Sequence, residues 1–253
     1  MTQGMIEIEM LSIDITNRCS KECSFCYNAS RADRPGRWTA DEVVDFASDC
    51  IAGGVKAISL GGGEPFEHPE IFEIITRLYP LAYLSVTTNG LPLELPEIKE
   101  KLLSARPDKI HISIHCPEDE VEVERVVKQL VWLQSVGVTP GVNLLVSKRN
   151  LAAARSAYSR LLDTLSPKQI ILLPLRHSSD TPQAQDLFEV AGRKPFQSAS
   201  CLTGCKSAGN FASVSWDKKA HWCSFSSGKA ALPELSYRGL LEALGASGPT
   251  RGC

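Results

Sequence analysis

The chain has 253 residues, of which 43% are hydrophobic and 22% charged, with a formal net charge of -2. That length holds one large α/β domain with a small appendage, or two modest domains, and the near-neutral charge excludes a polybasic surface for DNA, RNA or anionic lipid. The first residues, MTQGMIEIEM, lack the basic and apolar regions of a signal peptide, and no long uninterrupted apolar run occurs, so no membrane association and a cytoplasmic location are expected.

Strand-like and helix-like segments alternate along the first 180 residues. Residues 6–16 (IEIEMLSIDIT) read as a strand running into a cysteine-rich loop. Residues 39–54 have helical spacing, with Thr39 as N-cap, Glu42 completing a capping box and glycines at the end. Residues 55–63 (VKAISLGGG) are a short apolar run stopped by glycines, a buried strand. A helix at 69–79 leads to a strand at 81–90 (LAYLSVTTNG), a helix at 96–106 and a strand at 108–115 (DKIHISIH). An amphipathic helix at 119–137 closes on Gly137. A strand at 139–148, a helix at 150–165 and a strand at 167–177 complete the series. This alternation argues for parallel strands joined by helical crossovers. The units are too few for a closed eight-stranded barrel, which leaves a partial (β/α)6 barrel or a doubly wound sheet.

Residues 178–200 are polar, are broken by Pro182 and Pro195, and read as a linker with one short helix. Residues 201–253 are too sparse in apolar side chains for a core of their own, so a metal staple is the expected source of order there. The expected division is 1–180, 181–200 and 201–253.

Nine cysteines fall at 19, 23, 26, 50, 116, 201, 205, 223 and 253. Without a secretory signal, metal or redox chemistry explains them better than disulfides. Cys50 lies on the apolar face of the first helix and is expected in the core. Cys19, Cys23 and Cys26 sit in the loop that ends the first strand, where α/β proteins place functional groups. Three thiolates can hold three irons of a [4Fe–4S] cluster and leave the fourth open to another ligand. A zinc site completed by a distant residue such as His68 is the alternative, and incidental thiols a third.

Cys19-x3-Cys23-x2-Cys26, with Phe25 before the last cysteine, resembles the signature loop of the radical S-adenosylmethionine (radical SAM) superfamily. Gly62-Gly63-Glu64-Pro65 ends the second strand and is similar to the motif for the methionine end of S-adenosylmethionine (SAM). Thr87-Thr88-Asn89-Gly90 ends the third. The resemblance covers residues 5–180. It implies an open-site [4Fe–4S] cluster, SAM, and an external one-electron donor such as flavodoxin or ferredoxin. Gly62 and Gly63 can approach a ligand closely because they lack side chains, and Glu64 can accept from an ammonium. A tight turn with Pro65 at the first helical position is the structural alternative. In DKIHISIH, Ile110, Ile112 and Ile114 face one way and His111, Ser113 and His115 the other. Ser113 occupies the place where the family often puts a hydroxyl on the SAM ribose, and Asn143 is expected to do likewise. Arg176 could pair with a carboxylate. His115 is a candidate for touching substrate, and Cys116 for donating hydrogen to a substrate radical or serving as a small buried side chain.

The segment NFASVSWDKKAHWC reads as a β-hairpin closed by Cys223, followed by a helix leading to Cys253. It resembles a shortened SPASM, or twitch, extension, which implies one auxiliary [4Fe–4S] cluster on Cys201, Cys205, Cys223 and Cys253; zinc is the alternative. The turn DKK lacks the usual glycine, and the C-terminal cysteine pair is reduced to one. Two substrate classes follow: a ribosomal peptide, which is preferred, or a small metabolite. The early start of the first strand leaves no room for a leader-binding domain before it, which weighs slightly against a peptide. A non-catalytic iron–sulfur or zinc protein would leave GGGEP and TTNG without purpose.

Overall fold

The computed structural model describes residues 7–176, 178–198, 210–225 and 228–247. In chain order the elements are β1 (Met10–Asp14), α1 (Ala40–Ala52), β2 (Ala57–Gly61), α2 (Ile71–Leu78), β3 (Tyr83–Thr88), α3 (Pro96–Ser104), β4 (Lys109–Ile114), α4 (Glu120–Ser135), β5 (Thr139–Val146), α5 (Leu151–Leu161) and β6 (Ile170–Pro174). There follow α6 (Ala184–Val190), β7 (Gln197–Ser198), β8 (Phe211–Val214), β9 (Lys219–His221), β10 (Ala230–Ala231) and α7 (Tyr237–Ser247). The fold is mixed α/β with mostly parallel strands, as the alternation implied. Tertiary contacts group the chain into two units: residues 1–87, 96–108 and 207–253, and residues 88–95 and 109–206.

In the first unit β1 pairs in parallel with β2 on one side and β8 on the other, and β2 pairs in parallel with β3. β9 and β10 continue antiparallel from β8. Strand β8 lies beyond the expected boundary at 200, yet it is hydrogen-bonded to β1. Leu11 and Ile13, Ile58 and Leu60, Leu84 and Val86, Ala212 and Val214 are all buried. The pleat sends the alternate residues to the other face. There the register sets Ser12 opposite both Ser59 and Ser213, Ser59 opposite Ser85, and Asp14 opposite Gly61. Helix α1 starts at the expected capping box, in which Thr39 Oγ accepts from the Glu42 N–H and Glu42 accepts from the Thr39 N–H. Helix α7 docks beside it: the Tyr237 N–H donates to Asp49 at 2.6 Å. Cys50 is buried as expected, and burial pushes its thiol pKa up.

In the second unit β4, β5, β6 and β7 pair in parallel in that order. Ile110, Ile112 and Ile114 are fully buried, as the period-two pattern required. The segment read as a linker supplies α6, the expected short helix, and also β7, which was not expected. Gln197 and Ser198 extend the sheet beside β6, and the Ser198 hydroxyl donates to the Leu172 carbonyl at 2.8 Å. Two residues are too short a run to show any period, so pairing with β6 is what makes them a strand.

Candidate functional site

The cysteine loop leaves β1 after Asp14. Two backbone bonds hold its neck to the glycine turn after β2: the Gly63 N–H donates to Thr16 O, and the Glu64 N–H to Arg18 O, both at 2.7 Å. Gly62 has φ +123°, which favours glycine. A Cβ on Gly63 would overlap the Arg18 carbonyl, 2.6 Å from its carbon. The close approach that these glycines allow is therefore to the chain carrying the cysteines. Pro65 opens a 3-10 turn in which the Phe66 N–H donates to the Glu64 carboxylate, and Glu64 is 0% exposed.

Within the loop the Cys26 N–H donates to Cys23 O and the Cys19 N–H to Arg31 O, each at 3.1 Å. Glu22 and Ala29 adopt positive φ, turning the chain without glycine. Cys19, Cys23 and Cys26 are all half-buried, and Phe25 is partly exposed beside them. Glu67 clamps the first turn: it accepts from the Ser20 N–H at 3.0 Å and the Ser20 hydroxyl at 2.6 Å. The sequence reading missed Glu67, which lies two residues past the recognised motif.

The donor set suits a cluster better than a single zinc ion. Among the described residues no three His, Cys, Asp or Glu side chains form a group able to hold one metal ion. His68, the example of a residue that could complete the zinc alternative, is committed elsewhere: Nε2 meets the Trp38 carbonyl at 2.8 Å, and Nδ1 accepts from the Glu70 N–H at 3.1 Å. Three thiolates that bind different irons need not converge on one point.

Asp14 ends β1 on the face that carries Ser12. It is buried, and burial raises its carboxyl pKa from 3.8 to about 7; the Tyr27 hydroxyl and Lys229 oppose that rise, and Asp217 adds to it. The Tyr27 hydroxyl reaches its two oxygens at 3.3 and 3.4 Å. Sequence reading had no signal for this pair, because one aspartate in an alternating strand looks like an outward polar residue.

In the second unit the Thr88-Asn89-Gly90 segment is a self-capped turn. Thr88 Oγ accepts from the Gly90 N–H at 3.0 Å, and Asn89 Oδ1 from the Leu91 N–H at 2.8 Å. Helix α4 holds it: Gln129 donates to Gly90 O at 2.8 Å, and Arg125 donates to Gln129 at 3.1 Å. Glu122 accepts from the His115 N–H at 3.0 Å. Glu122 and Gln129 are buried, although their helix reads as an ordinary amphipathic one. Ser113 lies opposite Asn143, and Asn143 opposite Ile171. Asn143 hydrogen-bonds His111, whose pKa burial lowers to about 4. His115, Cys116 and Arg176 are half-buried at the ends of β4 and β6. The Cys116 carbonyl accepts from the N–H of Asp119, which caps α4.

The C-terminal hairpin forms as β8 and β9, with Cys223 half-buried after β9. Lys218 takes positive φ at the turn where glycine is usual. His221 is buried, and its Nδ1 lies 2.5 Å from the Cys223 carbonyl. Cys201, Cys205 and Cys253 lie outside the described residues.

A sequence profile of the radical SAM superfamily matches residues 13–136, from β1 through α4. These residues form a radical SAM domain. Such a domain implies a [4Fe–4S] cluster and SAM. The protein is 29% identical over 175 residues to a probable GTP 3′,8-cyclase of Methanocella arvoryzae, covering 65% of this chain and 55% of that one. It is 31% identical over 157 residues to a probable GTP 3′,8-cyclase of Methanocaldococcus jannaschii, covering 57% and 52%. The chain spans about half the length of these curated relatives. Its fold is similar to that of Streptococcus suis SuiB, solved with the precursor peptide SuiA, at TM-score 0.72 and 14% identity over 87% of this chain and 60% of that one. It is also similar to anSMEcpe, solved with SAM and a peptide, at TM-score 0.65 and 14% identity over 96% and 84%.

These relatives correct the expectation of a peptide substrate. Likeness at 14% identity speaks for the fold alone, whereas the proteins that share sequence with this chain are named for a nucleotide reaction. No helix among the described residues is long and apolar enough to cross a membrane.

Proposed function

We propose that this radical SAM enzyme binds its cluster through Cys19, Cys23 and Cys26, binds SAM at the open iron, and takes hydrogen from a small polar molecule of nucleotide type. Cluster and SAM together supply a 5′-deoxyadenosyl radical on receipt of one electron from a flavodoxin- or ferredoxin-like donor. The observation that carries the reading is the joint between the glycine turn and the cysteine loop. Two backbone bonds and the Glu67 clamp tie the start of the cysteine loop to the glycine turn, and a held loop lowers the ordering cost of binding.

Each recognised residue has a role in this reading. Glu64, fully buried behind the turn, is the acceptor for the SAM ammonium. Asn89 shapes the next turn, and Ser113, Asn143 and Arg176 line the strand ends for the rest of SAM. His115 and Cys116 belong to the substrate side.

The nucleotide class is supported by relatives of about 30% identity and by the hydroxyl-bearing face of the first unit. A second cluster on Cys201, Cys205, Cys223 and Cys253 completes the proposal, with Cys223 at the end of the hairpin that pairs with β1. About eight irons per chain support it, and about four exclude it. The substrate test is anaerobic turnover with SAM and dithionite, with GTP, guanosine or neither. Nucleotide-dependent stimulation of 5′-deoxyadenosine release is expected, and equal release in all three reactions overturns the nucleotide reading.

A further inference from the structure

We infer that Asp14 anchors the hydroxyl pair of a ribose-type ligand on the face of β1 that carries Ser12. The inference rests on the nucleotide reading above and deepens it.

Asp14 is 2% exposed. A carboxylate has two oxygens and about four acceptor positions. Here its hydrogen-bonding partner is the Tyr27 hydroxyl, at 3.3 and 3.4 Å, the long end of an O–H···O contact. A buried carboxylate with one long hydroxyl bond is under-satisfied, and such groups in native proteins call for an explanation.

Directly across the sheet from Asp14 stands Gly61, and the carboxylate leans over it: a Cβ there would meet Asp14 Oδ1 at 3.3 Å, a tight contact, with no other atom among its neighbours within 4 Å. One pleat lower on the same face, Ser12 faces Ser59, both half-buried. The strand spacing sets these two residues about 5 Å apart. The Tyr27 ring is 48% exposed beside its buried hydroxyl, and it meets Phe225 edge-on at 5.1 Å. An acceptor pair set over a glycine, two neighbouring serines and a half-exposed aromatic residue match a sugar diol with an attached flat base. Carboxylates bind ribose diols in this way in dinucleotide sites, and a planar base stacks on an aromatic ring. A phosphate is disfavoured next to Asp14, since like charges repel.

SAM carries a ribose diol as well, so the test separates the two sources. Equilibrium dialysis of the anaerobically reconstituted full chain measures guanosine, 2′,3′-dideoxyguanosine and SAM against wild type and Asp14→Asn, with iron content as a control for folding. Wild type should prefer guanosine over the dideoxy compound roughly tenfold, two hydroxyl bonds' worth. In Asp14→Asn that preference should shrink to about twofold, with iron content unchanged. If SAM affinity falls tenfold instead while the nucleoside preference persists, Asp14 still holds a diol, and it is SAM's. An undiminished preference together with unchanged SAM affinity overturns the anchor alone. Wild-type protein that cleaves SAM yet retains neither guanosine nor GTP overturns the nucleotide reading, and the substrate anchor with it.

Discussion

Glu67 holds Ser20 by two bonds, one to its backbone N–H and one to its hydroxyl at 2.6 Å. Ser20 is the residue after Cys19, so a carboxylate from the turn after β2 sets the start of the cysteine loop after β1. Gln at position 67 keeps one acceptor and loses the charge, worth about 1 kcal/mol, or roughly a fivefold loosening of the loop. Iron release to a chelator should accelerate by that factor in Glu67→Gln, with circular dichroism unchanged. Equal release rates would deny Glu67 the clamping role.

Gly63→Ala should be among the most damaging single changes. The new Cβ meets backbone at Arg18, which cannot rotate away as a side chain would. The two 2.7 Å bonds joining turn and loop would be strained or lost, at a cost of about 3 kcal/mol. Gly245→Ala is the control: it lies in α7 with nothing within 4 Å of the added carbon, and should gain about 0.5–1 kcal/mol. Thermal or urea unfolding reads both.

Asp14 gives stability a specific pH dependence. Its folded pKa, about 7, lies above the unfolded value of 3.8, so the native state holds the proton more tightly. Its contribution is therefore fully present below about pH 4 and is lost as pH rises to 7, by up to roughly 4 kcal/mol. Asp14→Asn should match wild type near pH 4 and exceed it at pH 8. Parallel stability curves for the two proteins would contradict the buried, under-satisfied carboxyl.

In the second unit, Gln129 donates to Gly90 O at 2.8 Å and also bonds Glu94 at 2.5 Å. Gln129→Leu leaves both acceptors short of a donor inside the protein, costing about 1–3 kcal/mol. A fall in the unfolding midpoint should accompany faster hydrogen exchange at Gly90. Unchanged exchange there would show that the turn holds itself through Thr88 and Asn89 alone.

Much of this was legible before folding because period is a local property. Ile110, Ile112 and Ile114 alternate in plain sight, and Thr39 with Glu42 spells a capping box. The loop cysteines, GGGEP and TTNG were visible because they are short and contiguous. What stayed hidden depends on partners distant in sequence. Gln197 and Ser198 become a strand only beside β6, and the β8 pairing with β1 joins residues some 200 positions apart. Glu122 and Gln129 occupy polar positions on a helix that looks amphipathic, and they are buried because Gln129 holds the Gly90 turn and Glu122 the His115 N–H. Asp14 reads as one more polar residue in an alternating strand until Tyr27 is seen folded back over it.

The central claim is that Cys19, Cys23 and Cys26 hold an iron–sulfur cluster with one iron open to SAM. The direct measurement is 5′-deoxyadenosine and methionine formed by the anaerobically reconstituted chain with SAM and dithionite, beside Cys19→Ala, Cys23→Ala and Cys26→Ala variants. Both products should appear with the native chain and vanish with each variant. A native chain that carries its iron and releases neither product, or variants that release as much as the native chain, would contradict the account.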